Sequence, residues 1–137
     1  MRELKFRSYD KDSKKMYNQD EFILTFDTVG EDIYLNKNDK VTPLYSYELM
    51  QYTGLKDIKG TEIYEGDIVK LKPHHKEKER DLLNFLIEDV HYKIEYINTS
   101  FALINTITLE IDSYLGDYGE NALEVTGNVY EDKDLLK

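Results

Sequence analysis

The chain has no cysteine, no tryptophan, only two prolines and no apolar run long enough to cross a bilayer. Without cysteine it forms no disulfide framework, no zinc–thiolate site and no thiolate nucleophile. Small secreted domains often depend on disulfides, so their absence favours a reducing compartment. The first residues are charged and lack the apolar segment of a signal peptide. We therefore expect a soluble cytoplasmic protein that does not enter a membrane.

Basic residues are in the minority, with 18 Lys and Arg against 28 Asp and Glu and a net charge of −10. The deficit is greatest in residues 94–134, which carry one basic and nine acidic side chains. Such a surface repels phosphate backbones, so non-specific nucleic-acid binding is not expected. The simplest interpretation is an acidic surface that favours solubility. The alternative is an acidic face that receives a basic partner.

The chain is rich in short segments in which apolar and polar residues alternate, which is the pattern of a half-buried strand. The alternation is clear in residues 4–9, 90–96 and 107–111, and strands are predicted at 86–97 and 123–130 as well. Residues 76–84 are charged and then leucine-rich, which predicts a loop or a short helix. Many short strands separated by turns are typical of a small barrel or sandwich.

The clearest hairpin is predicted in the middle of the chain. Residues 49–53 form its first arm and residues 56–60 form the connection. Gly60 can adopt the positive φ that a tight connection needs. After the return arm, residues 68–72 form another strand, which Pro73 closes because proline cannot donate a hydrogen bond to a sheet.

The residues of this hairpin form a recognisable signature. It consists of LMQYTGLKD at 49–57, Gly60, and EIYEGDIV at 62–69. Two flanking segments agree with it, one within residues 5–16 (KFR, Asp, KKM) and one at 123–131 (LEVTGNVYE). In this order the segments resemble the YopX family, small proteins of phages and prophages, mostly from Gram-positive bacteria. The resemblance spans nearly the whole chain.

The resemblance implies an SH3-like β-barrel, in agreement with the alternation pattern. We therefore predict a mainly β fold: an SH3-like small barrel with extra strands and a charged insertion that is a loop or a short helix. One domain is expected over residues 1–137. Its parts are a strand-rich segment at 1–47, a barrel core at 48–72 and 86–131, and a variable insertion at 73–85.

The glycines of the signature are predicted to be structural, because glycine permits the bends that separate strands. The glycines of this structural motif are Gly54, Gly60, Gly66 and Gly127. Four other residues are candidates for a binding surface, because tyrosine offers flat apolar area and a hydroxyl beside the acids. These are Tyr52, Tyr64, Glu65 and Asp67. The structural interpretation is favoured for the whole signature, in which Tyr52 and Tyr64 can pair across the two arms and Asp67 can accept backbone N–H groups in the turn.

Neither the residues nor the resemblance supplies a catalytic residue, a metal ligand or a cofactor. Adjacent His74 and His75 would point to opposite faces of a strand, and His91 is far from both in sequence. Glu110 and Asp112 share a face of a predicted strand and are expected to face solvent. We therefore expect a protein that is not an enzyme.

The predicted function is that of an uncharacterised phage or prophage accessory protein in a bacterial cytoplasm, which binds a host or phage protein. Self-association is a further option, because a small barrel can leave strand edges open. One alternative is a nucleic-acid-binding barrel that uses the basic N-terminal segment. That segment contains Arg2, Lys5, Arg7, Lys11, Lys14 and Lys15, interleaved with Phe6 and Tyr9. The weakest alternative is a metal-dependent enzyme built from carboxylates.

Overall fold

The structure is a computed structural model that describes residues 3–26, 33–37, 40–43, 47–72, 90–117 and 122–136, with the backbone alone for strands between 23 and 43. Within these residues the regular structure is almost all antiparallel strand. The strands, in chain order, are β1 Phe6–Asp10, β2 Lys15–Tyr17, β3 Ile23–Phe26, β4 Ile33–Lys37, β5 Lys40–Pro43, β6 Tyr47–Lys56, β7 Glu62–Tyr64, β8 Asp67–Leu71, β9 His91–Ile97, β10 Ser100–Asn105, β11 Ile111–Tyr114 and β12 Leu123–Asn128. Short 3-10 turns lie at Gln19–Glu21, Leu115–Asp117 and Lys133–Leu136.

The chain forms two compact units, Met1–Tyr52 and Thr53–Lys137. In the first unit, β1 lies between β2 and β6, so that Ser8 is opposite both Tyr17 and Leu49. A second sheet has the order β3-β4-β5. The aromatic core of this unit contains Tyr17 and Phe22, with Phe6, Tyr47 and Leu49 packed against them.

The second unit contains a five-stranded antiparallel sheet in the order β11-β10-β9-β8-β12. Strand β6 continues into this unit, where its end lies beside β7 and the Thr53 hydroxyl donates to the Ile63 carbonyl at 2.7 Å. Among the described residues of this unit, eight buried apolar side chains form one core cluster. Its members are Ile63, Val69, Tyr92, Ile94, Phe101, Leu103, Leu115 and Leu123.

The sequence pattern explains how the strands of this sheet are buried. In β9, Tyr92 and Ile94 are buried, while Lys93 and Glu95, which alternate with them, are only partly buried, as alternation predicts. In β10, by contrast, residues 101–104 are all buried. A short apolar run without alternation is typical of a strand covered on both faces.

The structure corrects the prediction of a strand at 107–111. Strand β10 ends at Asn105 and β11 begins only at Ile111. The chain turns between them because the Asn105 side-chain oxygen accepts the N–H groups of Ile107 and Thr108, at 2.9 and 3.1 Å. A hydrogen-bonded asparagine of this kind is a turn signal that competes with the ladder of a sheet.

Other boundaries shift by a few residues. The last strand ends at Asn128 rather than at residue 130, and strand β5 lies where no strand was predicted. The insertion at 73–85, with its loop or helix at 76–84, lies outside the described residues. The first part of the predicted strand 86–97 does so too, and the described strand begins at His91.

The sheets are antiparallel and one of them curls into a half-barrel, which confirms the predicted mainly β, SH3-like small-barrel fold. The division of residues 1–137 into a strand-rich part, a core and an insertion within one domain stays a prediction. The boundary between the two compact units follows Tyr52, inside β6.

Candidate binding surface

The signature residues after β7 form a tight turn closed by a buried carboxylate. Asp67 is 1% exposed, and its carboxylate accepts the backbone N–H of Tyr64 at 2.8 Å. The Tyr64 side chain is also buried, and Glu65 between them is half-buried. The structure therefore brings Tyr64 and Asp67 together through the backbone of the turn.

Gly66 joins this turn to two other parts of the second unit. Its N–H donates to the Ile94 carbonyl at 2.7 Å, and its own carbonyl accepts the N–H of Val129 at 2.8 Å. Its φ is +85°, a conformation that costs other residues about 1–2 kcal/mol. The glycine lets the backbone bend while both of its polar groups remain bonded.

The other glycines of the motif also lie in or beside bends of the backbone. Gly54 and Gly60 have φ values of +89° and +83°. At Gly127 the ladder between β8 and β12 shifts register, and a Cβ atom would lie 2.6 Å from the Asp132 carboxylate. These contacts are structural in character.

Tyr52 is the last residue of the first unit and its side chain is 4% exposed. Its N–H donates to the Lys5 carbonyl at 2.8 Å, and the Lys5 ammonium lies 5.7 Å from the centre of its ring. A cation over a tyrosine ring is attracted to the negative face of the ring. Tyr52 therefore serves the packing of its own unit.

Three of the four predicted binding residues are buried, and the fourth, Glu65, is half-buried. A buried side chain offers little surface to a partner. Their role in binding stays a prediction, while their contacts in the structure belong to the fold.

Asp57, in the connection between β6 and β7, was not singled out as a site from the sequence. It is 5% exposed, and its carboxylate accepts the N–H groups of Lys59, Thr61 and Val125 at 2.8, 2.9 and 2.9 Å. It therefore fastens the connection to β12. The sequence does indicate this role, because Asp57 lies two residues before a lysine-glycine pair, a position where an aspartate side chain forms a turn.

Glu124, a carboxylate on β12, also contacts the β6–β7 connection through an ion pair. Glu124 contacts the ammonium groups of Lys59 at 2.7 Å and Lys72 at 2.8 Å. Hydrogen bonds from Lys59 and then Lys72 lower the pKa of Glu124 from 4.5 to about 2. The hydrogen bond to Glu124 in turn raises the pKa of Lys59. Glu124 is therefore charged in the folded protein down to low pH.

An unbroken run of exposed residues extends from 107 to 112, through the connection between β10 and β11 and into the first two residues of β11. Three are aliphatic: Ile107 is 72% exposed, Leu109 67% and Ile111 43%. One exposed aliphatic side chain is ordinary, but three within five residues are an unusual concentration of exposed apolar surface. Glu110 and Asp112 alternate with them. We call these five residues the hairpin-end surface.

The backbone beneath the hairpin-end surface is fixed by hydrogen bonds. Besides the Asn105 side-chain bonds, the N–H of Leu109 donates to the Asn105 carbonyl at 2.9 Å, and the N–H of Asn105 donates to the Glu110 carbonyl at 3.0 Å. The buried Thr106 donates from its N–H and its hydroxyl to the His91 carbonyl, at 3.2 and 3.1 Å. The backbone that carries the aliphatic side chains therefore has a conformation fixed by hydrogen bonds.

Leu109 has a φ of +62°, a strained conformation for a leucine. Strain of this kind persists only where the surrounding structure holds it, and it concentrates at functional sites. The sequence missed this surface because alternating Ile107, Leu109 and Ile111 imitate a strand. The informative residue was Asn105.

Comparison with known proteins identifies the family. A family model described as YopX protein matches residues 5–137. The chain belongs to the YopX family. The resemblance seen in the sequence is thereby confirmed.

Two solved structures have a similar fold to this YopX-family chain. The protein EF1440 from Enterococcus faecalis is 23% identical with a TM-score of 0.65, and the match covers 100% of both chains. The protein yopX from Bacillus subtilis is 18% identical with a TM-score of 0.57, and the match covers 97% of this chain and 95% of that one. At these identities the likeness shows the fold alone. No curated protein sequence matches the chain.

The basic N-terminal segment of this YopX-family chain is partly neutralised. Lys5 contacts Glu3 at 3.6 Å and Lys11 contacts Glu48 at 3.3 Å. The ring of Tyr9, one of the two aromatic residues proposed to stack on bases, is buried. Nucleic-acid binding here stays a prediction, and these contacts do not favour it.

The predicted absence of a metal site and of catalysis also stays a prediction. His91 is half-buried, while His74 and His75 lie outside the described residues. Within the described ranges, no three His, Asp or Glu side chains are grouped as metal ligands would be. In the same ranges no helix has the length and apolarity of a membrane span.

Proposed function

We propose that this YopX-family protein acts by binding another protein through the hairpin-end surface and does not catalyse a reaction. The observation that carries the proposal is the exposure of Ile107, Leu109 and Ile111 on a loop held by hydrogen bonds. Burying one such side chain contributes about 1.5–3 kcal/mol. A partner that covers all three gains a substantial part of a typical binding free energy.

The fixed backbone of the loop supports the same proposal. A flexible loop loses conformational entropy when it binds, and a preorganised one loses less. The hydrogen bonds of Asn105 and Thr106 fix the loop before any partner arrives. The exposed side chains are therefore presented at a low entropic cost.

The biological setting of the proposal comes from the family resemblance. We propose an accessory protein of a phage or prophage, present in the bacterial cytoplasm, whose partner is a host or phage protein. The proposal does not depend on Tyr52, Tyr64, Glu65 or Asp67, because most of their surface is buried.

The test is retention of a partner by the immobilised full-length protein from lysates of Bacillus subtilis and Enterococcus faecalis, the organisms of the two similar structures. Leu109→Asn is the decisive variant. Asparagine tolerates a positive φ better than leucine does, so the variant keeps the loop while removing the aliphatic side chain. We expect the wild type to retain a protein that Leu109→Asn does not.

The matched control is Ile58→Ser, which removes an aliphatic side chain that is 40% exposed on the β6–β7 connection. This variant should retain the partner as the wild type does. If no protein is retained above background, or if Leu109→Asn retains it fully, the proposed function is wrong.

A further inference from the structure

The hairpin-end surface combines apolar and negatively charged groups. Its two acids, Glu110 and Asp112, are exposed and flank Ile111. The Asp112 carboxylate accepts the hydroxyl of Ser113 at 3.1 Å. Within the described part of the chain, neither acid takes part in an ion pair. Their charge is therefore available to a partner.

Among the residues that the structure describes, the strands around this surface carry little positive charge. No Lys or Arg occurs between residues 94 and 132. The closest one in the sheet is Lys93, which lies opposite Ile104, and Ile104 lies opposite Ile111. The ammonium group of Lys93 already contacts Glu95 at 2.9 Å.

A second copy of the chain is a poor occupant of this surface. A symmetric contact would place the carboxylates of one hairpin end against those of the other, and like charges across an interface are repulsive. In the basic N-terminal segment of another copy, Lys5 and Lys11 already contact Glu3 and Glu48, so only part of its positive charge could reach this surface.

Resting on the proposed function, we infer that the hairpin-end surface binds a basic segment of another protein, in which aliphatic residues alternate with or adjoin Lys or Arg. The aliphatic residues of the partner cover Ile107, Leu109 and Ile111. Its cations contact Glu110 and Asp112. Charge of this pattern gives specificity and faster association, while the apolar contacts give most of the affinity.

The test is selection of displayed random 12-residue peptides on the immobilised wild type, with Leu109→Asn as the counter-selection. Peptides kept by the wild type alone are expected to carry a net positive charge together with aliphatic residues. The best of them is synthesised, and its affinity is measured by isothermal titration calorimetry with the full-length protein.

Two double variants with the same change of charge then distinguish a direct contact of the peptide with Glu110 and Asp112 from its general attraction to an acidic protein. Glu110→Gln with Asp112→Asn alters the hairpin end, and Asp20→Asn with Glu21→Gln alters two exposed acids of the first unit. We expect the first pair to weaken binding about three- to tenfold, since exposed ion pairs contribute only modestly to affinity. The control pair should change affinity less than twofold. High salt should reduce the difference.

Several results would overturn the inference. These are selected peptides that are neutral or acidic, the absence of any peptide specific to the wild type, or equal losses in the two double variants. A dimer in sedimentation that Leu109→Asn dissociates would assign the surface to a second copy instead. If the lysate partner depends on Leu109 but the peptides are not basic, the proposed function stands and this inference alone fails.

Discussion

In two hairpin connections of the second unit, a side-chain oxygen accepts backbone N–H groups of the turn, but the two connections differ in what else they contact. In the β6–β7 connection the oxygen of Asp57 accepts backbone N–H groups, and in the β10–β11 connection the oxygen of Asn105 does so. The first connection also bonds to β12, through Val125 and through the N–H of Ile58, which donates to the Leu123 carbonyl at 2.9 Å. The second exposes its aliphatic residues.

The two connections also differ in the type of residue that adopts a positive φ. In the first connection it falls on Gly60, which adopts it freely, and in the second it falls on Leu109, which does not. One loop is therefore optimised for stability, and the other retains a large apolar side chain in a strained conformation. The first loop stabilises the fold, and contact with a partner is what we propose for the second.

The largest expected effect is that of Asp57→Ala. Removing the buried carboxylate leaves three backbone N–H groups without their acceptor, at a cost of about 2–4 kcal/mol in the free energy of unfolding. Denaturant unfolding followed by circular dichroism measures it. Asp57→Asn keeps one acceptor oxygen and should lose less. A loss below about 1 kcal/mol for Asp57→Ala would contradict the role of this loop in stability.

Gly60→Ala should have the next largest effect. Nothing lies within 4 Å of a Cβ at this position, so the loss comes from φ alone and should be about 1–2 kcal/mol. Gly116→Ala is the matched control, because that site is equally open and its φ is not positive. If the two alanine variants are equally stable by denaturant unfolding, the backbone argument is wrong.

A smaller, pH-dependent effect is expected for Glu124→Gln. The pKa of Glu124 is lowered to about 2 by its lysine partners, so its contribution is complete above pH 4.5 and is lost as the pH falls towards 2. The wild type should be more stable than the variant at pH 6, and the difference should shrink at pH 3. The exposed lysines keep the effect modest and sensitive to salt. A difference in unfolding free energy that is constant between pH 6 and pH 3 would contradict it.

The smallest effect on stability is expected for Leu109→Asn. The side chain it removes is mostly exposed, and asparagine relieves part of the strain, so the free energy of unfolding should change by less than about 0.5 kcal/mol. The same denaturant assay checks it. A loss comparable with that of Gly60→Ala would mean that Leu109 stabilises the fold.

The sequence predicted the fold well where side-chain alternation coincides with a half-buried strand, as in Tyr92 and Ile94 of β9. It failed at Ile107 and Leu109, because alternation reports a repeat of two and cannot tell a strand from an exposed turn. The turn depends on the side-chain oxygen of Asn105, a local hydrogen bond that a hydropathy pattern does not contain.

The candidate site was less predictable than the fold. Tyr52 and Tyr64 were proposed as contact residues because tyrosine suits interfaces, yet both side chains are buried. Which face of a strand is covered depends on the packing of distant segments, so residue type alone could not decide it. Asp57 illustrates the same limit, since one of its three bonds reaches Val125, 68 residues away.

The most direct test of the account is a single retention experiment in which wild type and Leu109→Asn, shown to be equally stable, are compared for the amount of partner they hold. We expect the wild type to retain the partner and Leu109→Asn not to retain it. Equal retention by both proteins would contradict the assignment of the hairpin end as the binding surface.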